Sequence, residues 1–126
     1  MQNRPGPSIE AYQHAMRLSP LDPLGYLFTS GLALGHTIAG EYEEALLWAD
    51  RSLREMPRFR AAINLKVILY VLLDRMDEAR QWLGRLQEIA YGLTIARYRE
   101  FLGSILAPEI MALYVDALRK AGLPEG

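Results

Sequence analysis

The sequence predicts an all-α fold, a superhelix of about seven antiparallel helices, and three observations support this. Apolar residues recur at the i, i+3/i+4, i+7 spacing of an α-helix in segment after segment from residue 8 onwards. No stretch alternates apolar and polar residues over the length of a strand, so no sheet is expected. A group of residues in one segment also returns 34 positions later, which indicates a repeated helical unit.

The chain opens with a predicted disordered lead over residues 1–7, where proline and glycine cluster. A first helix is expected over residues 8–19, with Ser8 as its N-cap. The apolar stripe of that helix consists of Ile9, Tyr12 and Met16. A second helix begins at Asp22 and Pro23, because a carboxylate caps free N–H groups and proline tolerates the first helical position.

Turn residues divide the rest of the chain. The second helix ends near Gly40, and a third, with acidic residues in its first turn, ends before Pro57. A helical pair is expected over residues 58–73 and 75–90. The last two predicted helices are a shorter one from Thr94 to about residue 106 and one from Pro108 to Gly122.

The repeat rests on three residue pairs that stand 34 positions apart, Glu44 with Glu78, Ala45 with Ala79, and Trp48 with Trp82. A period of about 34 residues with a helix–turn–helix unit is typical of the tetratricopeptide-repeat (TPR) family, which the chain resembles. The alanine fits the position where the second helix of a pair crosses the first. The predicted domain covers residues 8–126, divided into a half repeat (8–20), two repeats (23–57 and 58–91) and a C-terminal helical cap (92–126).

A second resemblance concerns the closing segments at residues 92–97, 108–109 and 118–125. They look like the C-terminal tail of bacterial TPR regions attached to class III adenylate/guanylate cyclase-like proteins. The resemblance implies a non-catalytic regulatory or interaction region, with any cyclase activity in a domain outside this chain. Related TPR tails follow winged-helix DNA-binding domains, so the effector domain of a transcription regulator is the alternative.

Composition narrows the possible partners. Fourteen basic residues face fifteen acidic ones, whereas nucleic-acid and anionic-membrane binders usually carry a basic excess. There is no cysteine, no apolar run long enough to span a membrane, and no signal-peptide pattern at the N-terminus. We therefore expect a cytoplasmic chain whose partner is a protein, a peptide or another domain of its parent.

The sequence contains no nucleotide-binding or metal-ligand motif, so no cofactor is expected. A small helical enzyme that uses His36 with Glu41 or Glu44 is the alternative from another class, set against packing of His36 inside a helix pair. A basic cluster consists of Arg51, Arg54, Arg58 and Arg60. Cations near a helix C-terminus complement its dipole, and a site for an acidic partner is the other interpretation.

Two surfaces are candidates for binding. TPR proteins bind partners in a groove lined by the first helix of each repeat, which the resemblance places at Ser30, Leu34, Thr37, Asn64, Ile68 and Val71. This groove is apolar and suits an amphipathic helix. The half repeat lacks its own first helix, so part of the apolar face formed by Ile9, Tyr12 and Met16 is expected to be exposed to solvent. An exposed apolar face of this kind favours a homodimer.

Overall fold

The computed structural model describes residues 25–126, which form six α-helices and no strand. The helices are α1 (Gly25–Ile38), α2 (Tyr42–Glu55), α3 (Arg60–Leu72), α4 (Met76–Ile89), α5 (Ile95–Leu102) and α6 (Pro108–Ala121). The predicted all-α class is confirmed for this part of the chain. The predicted lead, the first helix and its stripe of Ile9, Tyr12 and Met16 lie outside the described residues.

The chain divides into two compact units, Met1–Leu65 and Lys66–Gly126, with the boundary inside α3. The described part of the first unit holds α1, α2 and the start of α3, and the second unit holds the rest of α3 with α4, α5 and α6. The predicted limits of the repeats and of a single domain stay predictions.

In the first unit, α1 and α2 pack against each other as an antiparallel pair. Ala45 of α2 is fully buried, as the repeat pattern predicted, and a small side chain there lets the helices approach closely. The buried Ser52 hydroxyl donates a hydrogen bond of 2.7 Å to the Tyr26 carbonyl and so joins the far end of α2 to the start of α1. The Tyr26 ring meets Phe59 edge to face, with ring centroids 4.9 Å apart.

The 34-residue period is also present in the backbone of the turns. Gly40 and Asp74 both have positive φ, 81° and 59°, in the left-handed conformation that ends many helices. The N–H of the next residue donates to a carbonyl five positions back in each turn, Glu41 to His36 and Arg75 to Tyr70, both at 2.8 Å. The helix that follows begins two residues after the left-handed residue in both repeats. The same helix–turn–helix geometry therefore occurs twice.

In the second unit, α6 packs against α4 and α5. The start of α6 at Pro108 and its end before Gly122, where φ is 113°, match the prediction. Helix α5 was predicted to reach residue 106 but ends at Leu102. At the residue after the helix the backbone passes close to the preceding turn. A Cβ on Gly103 would lie 2.6 Å from the Arg99 carbonyl oxygen, so this position requires a glycine.

The C-terminal residues fold back onto the start of α5. Leu123 is buried, and the carbonyls of Pro124 and Glu125 accept hydrogen bonds of 2.8 and 3.0 Å from the N–H groups of Ile95 and Ala96. The Arg119 guanidinium binds both oxygens of the Glu125 carboxylate. We call residues 123–125 the C-terminal clasp. It satisfies N–H groups that the first turn of a helix leaves without intrahelical partners.

Candidate protein-binding surface

Helix α1 carries no Asp, Glu, Lys or Arg over its 14 residues. Its buried face includes Leu32, Ala33 and His36. The buried hydroxyls of Thr29 and Thr37 donate to carbonyls of α1 itself, so they need no partner from another helix. A helix that is apolar all round is normally covered on both faces.

The opposite face of α1 is exposed. Leu27, Leu34 and Ile38 have 41%, 36% and 57% of their surface accessible. Their spacings of seven and four residues place them on one line along the helix, over about 16 Å. We call these three residues the α1 stripe. On α2, by contrast, the exposed positions are mostly charged, as expected for an ordinary surface helix.

The six residues predicted to line the groove differ in their exposure. Leu34 belongs to the α1 stripe, and Ser30, Asn64 and Val71 are half-buried. Thr37 and Ile68 were predicted to line the groove, but their side chains are buried and a partner cannot reach them.

The helical phase explains the burial of Thr37. This residue lies three positions after Leu34, which turns it towards the core, where its hydroxyl bonds the Ala33 carbonyl at 2.7 Å. Ile38, four positions after Leu34, continues the exposed line instead. The groove prediction omitted Leu27 and Ile38, and the absence of any charge in α1 is the signal that could have found them.

The structure brings His36 and Glu41 together but leaves Glu44 apart and exposed. His36 Nδ1 lies 2.8 Å from Glu41 Oε1, and the His36 side chain is buried, with 8% of its surface exposed. Nε2, the other ring nitrogen, is buried without a hydrogen-bond partner among the described residues. A general base must reach the proton that it abstracts, and Nε2 is shielded from solvent. This pair has the geometry of a structural contact.

The two tryptophans each lie against a cation three residues further along. The Arg51 guanidinium is 5.5 Å from the Trp48 ring, and that of Arg85 is 4.3 Å from the Trp82 ring. The ammonium of the buried Lys66 also contacts Trp82, at 3.9 Å. The two arginine contacts repeat at the 34-residue spacing, and the lysine contact occurs only at Trp82.

Other kinds of site are not visible in residues 25–126. No group of three or more His, Cys, Asp or Glu side chains in this range could hold a metal ion. None of the described helices is long and apolar enough to cross a membrane. No protein-family model matches the chain, and no curated protein matches it significantly. The α1 stripe remains as a line of exposed apolar side chains on a helix that carries no Asp, Glu, Lys or Arg.

Proposed function

We propose that this chain is a non-catalytic TPR module that binds another protein through the α1 stripe. The observation that carries the proposal is an uncharged helix with one face in the core and the opposite apolar face exposed. Apolar surface of this kind, arranged in a line, marks a site for a partner. The repeated turns at Gly40 and Asp74 support the TPR assignment, since a helix–turn–helix unit of about 34 residues defines that repeat.

We further propose that the module is the C-terminal regulatory region of a bacterial adenylate/guanylate cyclase-like signalling protein of the cytoplasm. The support is the likeness of residues 92–97, 108–109 and 118–125 to the tails of such proteins. With the helix expected over residues 8–19, the module has seven helices in a TPR-like superhelix. The coding sequence of the parent protein tests this, because a cyclase domain and a winged helix have unlike sequence patterns.

The binding proposal is tested by quantitative affinity capture from the native host with three baits, the unchanged chain and the variants Leu34→Glu and Leu47→Glu. Leu47 is a matched control, since it is a leucine 62% exposed on α2, outside the stripe. The proposal expects specific proteins to be retained by the unchanged chain and by Leu47→Glu, and lost with Leu34→Glu. Equal retention by all three baits would contradict it.

A second copy of the chain is another possible occupant of the stripe. Sedimentation over a wide concentration range distinguishes the two cases. A dimer that Leu34→Glu dissociates and Leu47→Glu does not would assign the stripe to self-association, in place of a different protein.

A further inference from the structure

Helix α5 has few contacts of its own to hold it in the helical state. It has eight residues, and isolated helices shorter than about 12 residues are marginal in water. Ile95 and Tyr98 are its buried side chains, and Leu102 is half-buried. The other five side chains are exposed to solvent. The helical state of α5 therefore depends on groups outside the helix.

The C-terminal clasp supplies part of what α5 lacks. The first N–H groups of a helix have no intrahelical acceptor. In the first turn of α5, the Thr94 hydroxyl accepts a hydrogen bond of 3.2 Å from the Arg97 N–H. The N–H groups of Ile95 and Ala96 find their acceptors in the clasp instead, at 2.8 and 3.0 Å. The clasp thus completes the turn with which the helix begins.

The clasp is fixed at one end and exposed at the other. Gly122 has a φ of 113°, and the N–H of the buried Leu123 donates to a carbonyl in the last turn of α6 at 3.0 Å. Pro124 and Glu125, whose carbonyls hold α5, are exposed. The Glu125 carboxylate binds Arg119, and both side chains of this ion pair are open to solvent. Because water competes for such an ion pair, this end of the clasp can open while Leu123 stays in place.

A buried hydroxyl of α6 opposes the packing of α5. Tyr114 is 4% exposed, and its hydroxyl is buried without a hydrogen-bond partner among the described residues. Burial raises the pKa of this hydroxyl, and so does the nearby Tyr98 of α5, which packs against α6. An unpartnered hydroxyl regains hydrogen bonds when it meets water, so its burial disfavours the closed state. The hydrogen bonds from the clasp act in the opposite direction.

We propose that the C-terminal clasp is a conformational switch for α5. While the clasp is closed the helix is formed, and release of Pro124 and Glu125 unfolds α5 locally while α4 stays folded. The open state exposes Ile95 and Tyr98 and hydrates the Tyr114 hydroxyl. Segments with few buried contacts and solvent-exposed hydrogen bonds are the ones that open locally in folded proteins. The proposal concerns the second unit alone and does not depend on what binds the α1 stripe.

Amide hydrogen exchange, followed by NMR, tests the switch with two truncated chains. One ends after Leu123 and lacks both acceptor carbonyls, and the matched control ends after Glu125 and keeps them. In the shorter chain the amides of residues 99–102 are expected to exchange about tenfold faster, because α5 opens more often. The amides of the buried residues of α4 should keep their rates. The control should match the unchanged chain at both helices.

Tyr114→Phe tests the opposing hydroxyl, since it keeps the ring and removes the unpartnered group. In the chain that ends after Leu123, this variant is expected to slow exchange in α5. Unchanged rates in α5 after truncation would overturn the proposal. Equal acceleration in α4 and α5 would overturn it too, because the clasp would then stabilise the whole unit. If Tyr114→Phe leaves exchange in α5 unchanged or speeds it, the hydroxyl does not oppose the closed state.

Discussion

His36 and Glu41 form a hydrogen bond of 2.8 Å across the turn between α1 and α2. One repeat later, across the turn between α3 and α4, Tyr70 and Arg75 make a cation–π contact of 4.9 Å. The two pairs occupy the same positions, 34 residues apart, and both join the last turn of one helix to the residue before the next. The two contacts differ in kind, a hydrogen bond in one repeat and a cation–π contact in the next, but they join equivalent positions of the two turns. Each pair links the two helices that flank its turn.

These contacts predict unequal costs for the equivalent substitutions Glu41→Ala and Arg75→Ala. Loss of Glu41 leaves the buried imidazole of His36 without its partner, which costs about 1–3 kcal/mol of unfolding free energy. Loss of Arg75 removes an exposed cation–π contact and an exposed ion pair with Glu78, worth less than about 1 kcal/mol. Urea denaturation measures both. Equal small losses would show that the hydrogen bond does not stabilise the fold.

The alanines of the repeat offer a test of helix packing. Ala45 and Ala79 are fully buried, so Ala45→Leu or Ala79→Leu is expected to overpack the helix pair and to cost about 1–3 kcal/mol. Ala61→Leu is the matched control, because Ala61 is exposed on α3 and the same change there stays within about 0.5 kcal/mol. Thermal melts unchanged by both buried substitutions would contradict the repeat assignment.

The side-chain contact between Arg119 and Glu125 of the C-terminal clasp should be lost in acid. The hydrogen bond from Arg119 lowers the pKa of the Glu125 carboxyl, so the stabilising contact is present above the ordinary carboxyl pKa and is lost as the pH falls through the lowered value. Amide shifts of Ile95 and Ala96, whose N–H groups bond the clasp, are expected to move in that range during an NMR titration. Glu125→Gln cannot titrate and should remove the transition. A transition that persists in this variant would assign it to another group.

No nucleotide or divalent metal is expected to bind this chain. The described residues lack a carboxylate cluster for a metal, and the sequence lacks a glycine-rich phosphate loop. Calorimetric titration with ATP and either magnesium or manganese should give only heats of dilution. A micromolar affinity would overturn the assignment of the chain as a non-catalytic module.

Local signals in the sequence predicted most of the helix limits. Gly40, Pro57 and Asp74 mark the turns because backbone conformation at each is set by the residue itself or its neighbours. The early end of α5 was not predicted, because no proline directly follows Leu102 and Gly103 keeps an αR conformation instead of the left-handed one that ends many helices. The C-terminal clasp could not be predicted either, because its hydrogen bonds join residues about 30 positions apart, and such long-range contacts produce no periodic pattern in the sequence.

The exposure of the predicted groove residues could not be read from the sequence for a related reason. The family register selected Leu34 and Thr37, but burial depends on how α1 rotates against its neighbours, and that rotation exposes Ile38 in place of Thr37. Position within a repeat places Leu34 and Thr37 on the same helix, and it does not tell which of the two side chains is exposed.

The most direct test of the central claim is site-specific photocrosslinking in the native host, with a photoreactive amino acid in place of Leu34 or, as the control, Leu47. Both leucines are exposed, and only Leu34 belongs to the α1 stripe. If the stripe binds a protein, Leu34 gives a discrete crosslinked product and Leu47 does not. Products of equal yield from both positions, or a product from Leu47 alone, would contradict the claim that α1 is the binding helix.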